Sequence, residues 1–209
     1  MIEAVLWDFG GVFTPSPFVA CRAYAVSLGV EPAVLMDIIF GPYHEDTDHP
    51  WHQAERGEGL VQDALDHSVA EAARHGFVFE PQALFAAMRD DGVDRTIVVD
   101  KVRELRGCGL RMSIVTNNAK EFSDAWHRLV PIELFDDVVD SSQVGMRKPN
   151  PAIYELALQR LSVAASHAAF LDDFLPNVVA ARAVGLVGVH VEHPVAALAE
   201  LDRAIAAAR

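Results

Sequence analysis

Four short stretches carry side chains that could act together on one substrate. VLWD ends an apolar run on a lone carboxylate, Asp8, with Gly10 and Gly11 just beyond it. RMSIVT ends on the hydroxyl of Thr116, followed by Asn117; GMRKP supplies a cation, Lys148; and AAFLDD closes on an acidic pair, Asp172-Asp173. A carboxylate able to attack, a hydroxyl with adjacent backbone donors, a cation and an acidic pair form a coherent set for phosphoryl transfer to a carboxylate. Each member has a plainer reading. A lone Asp after an apolar run is often a turn former, an acidic pair can cap a helix starting near Pro176, Thr116-Asn117-Asn118 can be a strand-to-helix turn, and Lys148 can be a solvated surface charge. The set is more specific than any of its parts.

Positioning such a set falls to the strands. Short, apolar, β-branched runs occur at 3–8, 111–116, 136–141, 168–173 and 187–192. After the first, stretches long enough for helices separate them, as at 150–162 and 176–185, and the Ala-rich ALAELDRAIAAAR reads as a final helix. Strands alternating with helices predict an α/β fold with a parallel sheet covered on both faces, whose crevice lies beyond the carboxyl ends of the strands. Between Thr14 and Asp94 the strand pattern nearly disappears and helical runs punctuated by Gly and Pro take over, too long for a single crossover and read as an inserted helical domain.

Bulk properties narrow the function. The 209 residues are 51% hydrophobic and 22% charged, the make-up of a folded globular protein. A net charge of −13 argues against nucleic acid as a partner. No apolar stretch approaches the ~18 residues of a membrane span. With two cysteines, Cys21 and Cys108, and no charged-then-apolar leader at MIEAVLWDFG, the expected compartment is the cytoplasm.

On VLWDFGGV, SIVTNN, the lysine of GMRKP and FLDDFLPN, the chain resembles the haloacid dehalogenase superfamily of hydrolases, the group with a helical cap inserted after the first motif. The resemblance implies a Rossmann-like core over 1–14 and 95–209, a mobile helical cap over 15–94, Mg²⁺, and an aspartyl-phosphate intermediate. Asp8 is then the nucleophile, with Thr116 and Lys148 as its catalytic partners. Mg²⁺ is held by Asp8, the Gly10 carbonyl and Asp173, with Asp172 as neighbour or alternative ligand, a hard oxygen set suited to this ion. Asn117, Gly11 and Trp51 are the expected substrate contacts, and Asn177 orients the fourth-motif loop. The implied partner is a small phosphorylated metabolite, and the implied state a monomer or homodimer. Hinges near 13–17 and 92–95 would let the cap close.

The chain departs from the family's phosphatases at Gly10, where a second Asp normally protonates the leaving oxygen. Loss of such a group costs on the order of 10²–10⁴ in rate. Three consequences compete: phosphate esters whose leaving group needs little protonation, a haloacid dehalogenase whose halide leaves unprotonated, or a weak module that binds a phosphorylated ligand. The acidic pair opposes the dehalogenase, which works without Mg²⁺. Gly in place of that Asp is also familiar in a subgroup that includes small-sugar-phosphate phosphatases, and WHQAERGE resembles its cap. Residues 42–59 hold Tyr43, His44, His49 and His52 as candidates for the absent acid, against the reading of a solvated, Pro-broken loop, and Trp51 either lines the entrance or packs the cap helices. Phe18, Tyr24, Phe77, Phe79, Phe85 and Trp126 read as core, and Cys21 as an inert buried thiol.

Overall fold

The computed structural model describes residues 1–89, 91–123 and 129–208. Trp126 lies outside them. The β-branched runs form strands β1 (Ala4–Trp7), β2 (Arg111–Thr116), β3 (Asp137–Asp140), β4 (Ala168–Asp172) and β5 (Val187–His190), paired throughout in parallel in the order β3-β2-β1-β4-β5. Between β1 and β2 lie α1 (Pro17–Ser27), α2 (Pro32–Phe40), α3 (Pro50–Glu55), α4 (Val61–Arg74), α5 (Pro81–Ala87) and α6 (Thr96–Gly107). The short α7 (Ser141–Val144) and α8 (Pro151–Leu161) follow β3, α9 (Leu175–Val184) joins β4 to β5, and α10 (Pro194–Ala207) ends the fold.

Local chemistry explains the helix starts. Proline sits in the first turn of α1, α2, α3, α5, α8, α9 and α10, where its missing N–H costs nothing. Side chains of Ser16, His49 and Asn150 accept from the backbone at the starts of α1, α3 and α8.

Because side chains alternate along a strand, β1 serves two cores. Val5 and Trp7 pack with Val98 and Val102 of α6 and Leu201 of α10; Ala4 and Leu6 face the opposite side, with Ile153 and Tyr154 of α8 and Ala181 of α9. The sheet is therefore covered by helices on both faces. Helices α1, α2, α4 and α5 contribute to a third cluster that includes Phe18, Cys21, Leu35, Phe40, Phe79 and Leu84. Phe18 and Phe79 are buried, whereas Tyr24, Phe77 and Phe85 are half-buried. Burial pushes the Cys21 thiol up to about 12, which suits an inert core residue.

Within 42–59 the turn over 44–48 is largely exposed, as the solvated reading has it, but the residues that follow are not a loop. Pro50 begins α3 rather than breaking a helix, and His52 is fully buried. His52 Nδ1 lies 3.1 Å from the donating Thr47 backbone N–H, and Nε2 lies 2.7 Å from the Phe40 carbonyl. Burial, then the Arg147 charge, pulls its pKa down to about 3, so this neutral histidine is an architectural group and not a proton shuttle near pH 7.

Candidate active site

Strand order places the acidic residues that the sequence singled out side by side. Connections run from β1 through β2 to β3 on one side and then cross to β4 on the other, which makes the carboxyl ends of β1 and β4 the switch point of the sheet. Trp7 pairs with Leu171, and the Asp8 N–H donates to the Leu171 carbonyl at 2.8 Å, so Asp8 emerges beside Asp172 and Asp173. One oxygen from each of these three acids lies within 4.8 Å of the others. Thr116, buried at the end of β2, pairs with Asp140 of β3.

Lys148 completes the cluster. Its ammonium lies 2.6 Å from Asp8 Oδ1 and 2.7 Å from Asp172 Oδ2, and it is almost wholly buried. Burial alone would lower its pKa, but Asp172 and Asp8 together hold it above the ordinary lysine value. Burial, then the Asp172 charge, pushes Asp8 well above the usual carboxylate range, against the pull of Lys148. The same two causes raise Asp173 to about 7. Three acids against one ammonium leave the cluster short of positive charge.

The acids differ in what remains free. Asp172 Oδ2 takes Lys148 and Asn177 Nδ2, the latter at 3.0 Å, and Oδ1 accepts from the Phe174 N–H at 2.7 Å. Asp173 Oδ2 accepts from the Ser16 hydroxyl, while Asp173 Oδ1 is buried with no hydrogen-bond partner. A buried carboxylate oxygen left bare beside two other acids could hold a hard cation. Gly11 lets this carboxylate in: a Cβ there would lie 2.1 Å from Asp173 Cγ, and its φ of +79 suits glycine. At Gly10, by contrast, a Cβ would meet only Pro17 Cδ, at 3.7 Å. Packing at that atom does not forbid the side chain that the chain lacks.

The side chains of Asn117 and Trp51 are both engaged by other protein groups. The Asn117 side chain holds the backbone of Lys148, accepting from its N–H at 2.8 Å and donating to its carbonyl at 3.0 Å. The Trp51 indole N–H donates to Glu55 Oε1 at 2.9 Å and its ring packs edge-on against Phe40, so the half-buried side chain makes the packing contacts that the sequence offered as one of its two roles. Tyr43, a cap candidate in the sequence, lies beside the site, and so do Ser16, Glu55 and Arg147, which the sequence did not single out. WHQAERGE and GMRKP contain the last two, but only the fold shows that their charges meet. A cavity of about 440 Å³ opens beside Gly11, Ser16 and Asp173, with Arg22, Arg95 and His190 among its walls.

A parallel α/β sheet with its carboxylates gathered at the switch point around a buried lysine defines an enzyme core of the Rossmann-like kind. A family model of haloacid dehalogenase-like hydrolases matches residues 2–185, and the chain belongs to that family. It is 31% identical over 209 residues to the sesquiterpene phosphatase astK of Aspergillus oryzae, covering 97% of this chain and 96% of that protein. It is 29% identical over 204 residues to acyl-CoA dehydrogenase family member 10 of Mus musculus, covering 96% of this chain but only 19% of that protein's length. Among solved structures, the L-2-haloacid dehalogenase RSc1362 shares the fold with a TM-score of 0.63 at 23% identity, over 92% of this chain and 88% of the other. A family enzyme of Bacteroides thetaiotaomicron in complex with magnesium and inorganic phosphate does so with 0.59 at 17%, over 91% and 94%. No helix among the described residues is long and apolar enough to cross a membrane.

Proposed function

We propose that this hydrolase is a Mg²⁺-dependent phosphatase of a small phosphorylated metabolite, working through an aspartyl phosphate on Asp8. The observation that carries the reading is the bare, buried Asp173 Oδ1 next to the Lys148-bridged pair Asp8 and Asp172. Asp8, Asp173 and the Gly10 carbonyl would hold the ion, with Asp172 beside them. When bound, Mg²⁺ supplies positive charge that offsets repulsion between the carboxylates and the phosphate. Relatives named as phosphatases support the phosphate half of this reading, and the family structure holding magnesium and phosphate supports the metal.

The chain's own residues then divide the work. An Asp8 oxygen forms a bond to phosphorus as the bond to the leaving oxygen breaks, and Lys148 balances the charge on Asp8 and on the transferred group. The Thr116 hydroxyl and the backbone N–H of Asn117 donate to phosphate oxygens, with Gly11 lying against them. Water attacks the phosphorus of the aspartyl phosphate next, releasing inorganic phosphate and restoring Asp8. Since Gly10 carries no acid, the fitting substrates are acyl phosphates or anomeric sugar phosphates, whose leaving groups need little protonation. Residues 15–94 act as the cap that excludes water. Acidic surface and two free cysteines fit cytoplasmic work on a metabolite, as a monomer or homodimer.

Phosphate release from a panel of sugar phosphates, acyl phosphates and p-nitrophenyl phosphate, with and without Mg²⁺, tests the reading. Mg²⁺-dependent release that disappears in Asp8→Asn is expected. Metal-free halide release from 2-haloacids, with no phosphatase activity, would establish the dehalogenase instead.

A further inference from the structure

A second buried charge cluster joins the helical insert to the sheet beside Lys148. Arg147 is fully buried; its Nε donates to Glu55 Oε2 at 2.7 Å and its Nη1 to the Glu45 carbonyl at 2.7 Å. The guanidinium lies 4.4 Å from the centre of the Tyr43 ring. Tyr43 donates its hydroxyl to Glu55 Oε1 at 2.6 Å and accepts from Asn117 Nδ2 at 3.1 Å. Asn117 is the residue that clamps the Lys148 backbone on both its N–H and its carbonyl. A continuous path therefore runs from α3 through Tyr43 and Asn117 to the residue whose ammonium touches Asp8.

Two features distinguish this path from ordinary packing. Glu55 Oε1 already takes Tyr43 and Trp51, and Oε2 takes Arg147, so Glu55 is committed to the seam and is not a spare acid for the leaving group. The seam is also tied at the α3 backbone, where Ser141 Oγ donates to the Glu55 carbonyl at 2.6 Å and accepts from the Asn118 N–H at 2.9 Å. Both residues after Thr116 are thus held by groups that the insert engages.

We propose that Tyr43 and Glu55 are positioning residues for Lys148, so that the cation is set against Asp8 only while this edge of the insert is seated. Any opening of the insert must leave the seam in place or release the lysine with it. In its kinetic consequence the proposal rests on the phosphatase reading; the structural coupling stands apart from it.

The test is Tyr43→Phe, which keeps the ring over Arg147 and removes one hydroxyl. Amide hydrogen exchange followed by NMR compares the Lys148 N–H, bonded to Asn117 Oδ1, with the Asp8 N–H, bonded to the Leu171 carbonyl. Loss of a hydrogen bond worth about 1.4 kcal/mol corresponds to about tenfold. Lys148 exchange should accelerate about tenfold with Asp8 unchanged, and kcat for p-nitrophenyl phosphate should fall about tenfold with KM within about threefold. Glu55→Gln, whose amide oxygen can still accept from Tyr43, should shift the same amide less than Tyr43→Phe does. The proposal is overturned if Lys148 exchange and kcat both stay within twofold of wild type. It is equally overturned if the melting temperature drops and both amides accelerate together, which would make the seam general architecture. Were the wild type to hydrolyse no phosphate ester at all, the catalytic reading would fail while the exchange comparison still decided the coupling.

Discussion

Two buried charge clusters lie on either side of the Arg147-Lys148 dipeptide, and they are built on opposite terms. At the strand ends, Asp8, Asp172 and Asp173 face one ammonium, and an oxygen of Asp173 is left bare. Across the seam, one buried carboxylate, Glu55, meets one guanidinium and also takes Tyr43 and Trp51; the part-exposed Asp46, paired with Arg56, lies 4.0 Å from Arg147 Nη1, and Arg147 Nη2 is left without a hydrogen-bond partner. Burial of charge is costly in both places. A balanced pair offsets that cost locally and holds elements together, whereas an unbalanced cluster keeps an appetite for another cation. On the proposed reading, the unbalanced cluster does the chemistry and the balanced one sets its geometry.

The widest separation between the two should come from Asp8→Asn, expected to lower kcat by about 10⁴ or more while the fold persists, as read by phosphate release and circular dichroism. Next, Lys148→Met and Arg147→Met should each cost roughly 3–5 kcal/mol in denaturant unfolding, since each leaves buried carboxylate uncompensated. Mg²⁺ should restore much of the loss in Lys148→Met and none in Arg147→Met; equal response in both would erase the distinction. Gly10→Asp, sterically open at its Cβ, should raise turnover of poor leaving groups by up to about 10²–10⁴ and leave acyl phosphates little changed. Gly11→Ala drives a methyl into the Asp173 carboxylate and should weaken Mg²⁺ binding about 10–100-fold by calorimetry.

The smallest effect is in pH. Asp173, raised to about 7 from an ordinary value near 3.8, contributes stability to the metal-free protein that is full below the ordinary value and lost as pH rises through about 7. Cation binding relieves that loss, so the gain in melting temperature on adding Mg²⁺ should grow between about pH 5 and pH 8. A gain independent of pH would mean that Asp173 does not face the ion.

Much of this was legible before folding. Buried parallel strands are short continuous apolar runs, so 111–116 corresponds to β2 without adjustment and 168–173 to β4 within one residue. Asp8, Asp172 and Lys148 could be paired because each follows or ends such a run, or lies in a loop after one. The seam was not legible. Arg147 and Glu55 are 92 residues apart, Ser16 and Asp173 157 apart, and no periodicity links them. Residues 42–59 misled because proline breaks a helix in mid-span but starts one at its first turn, and a histidine-rich run reads as solvated until Phe40 and Thr47 are seen to satisfy His52.

The most direct measurement is a single-turnover reaction with a labelled acyl phosphate or p-nitrophenyl phosphate in the presence of Mg²⁺, quenched in acid and mapped by mass spectrometry. Phosphate found on Asp8 in the wild type and on no peptide of Asp8→Asn is the predicted result. Phosphate released without ever residing on Asp8, or carried by another side chain, would contradict the assignment of that carboxylate as the nucleophile.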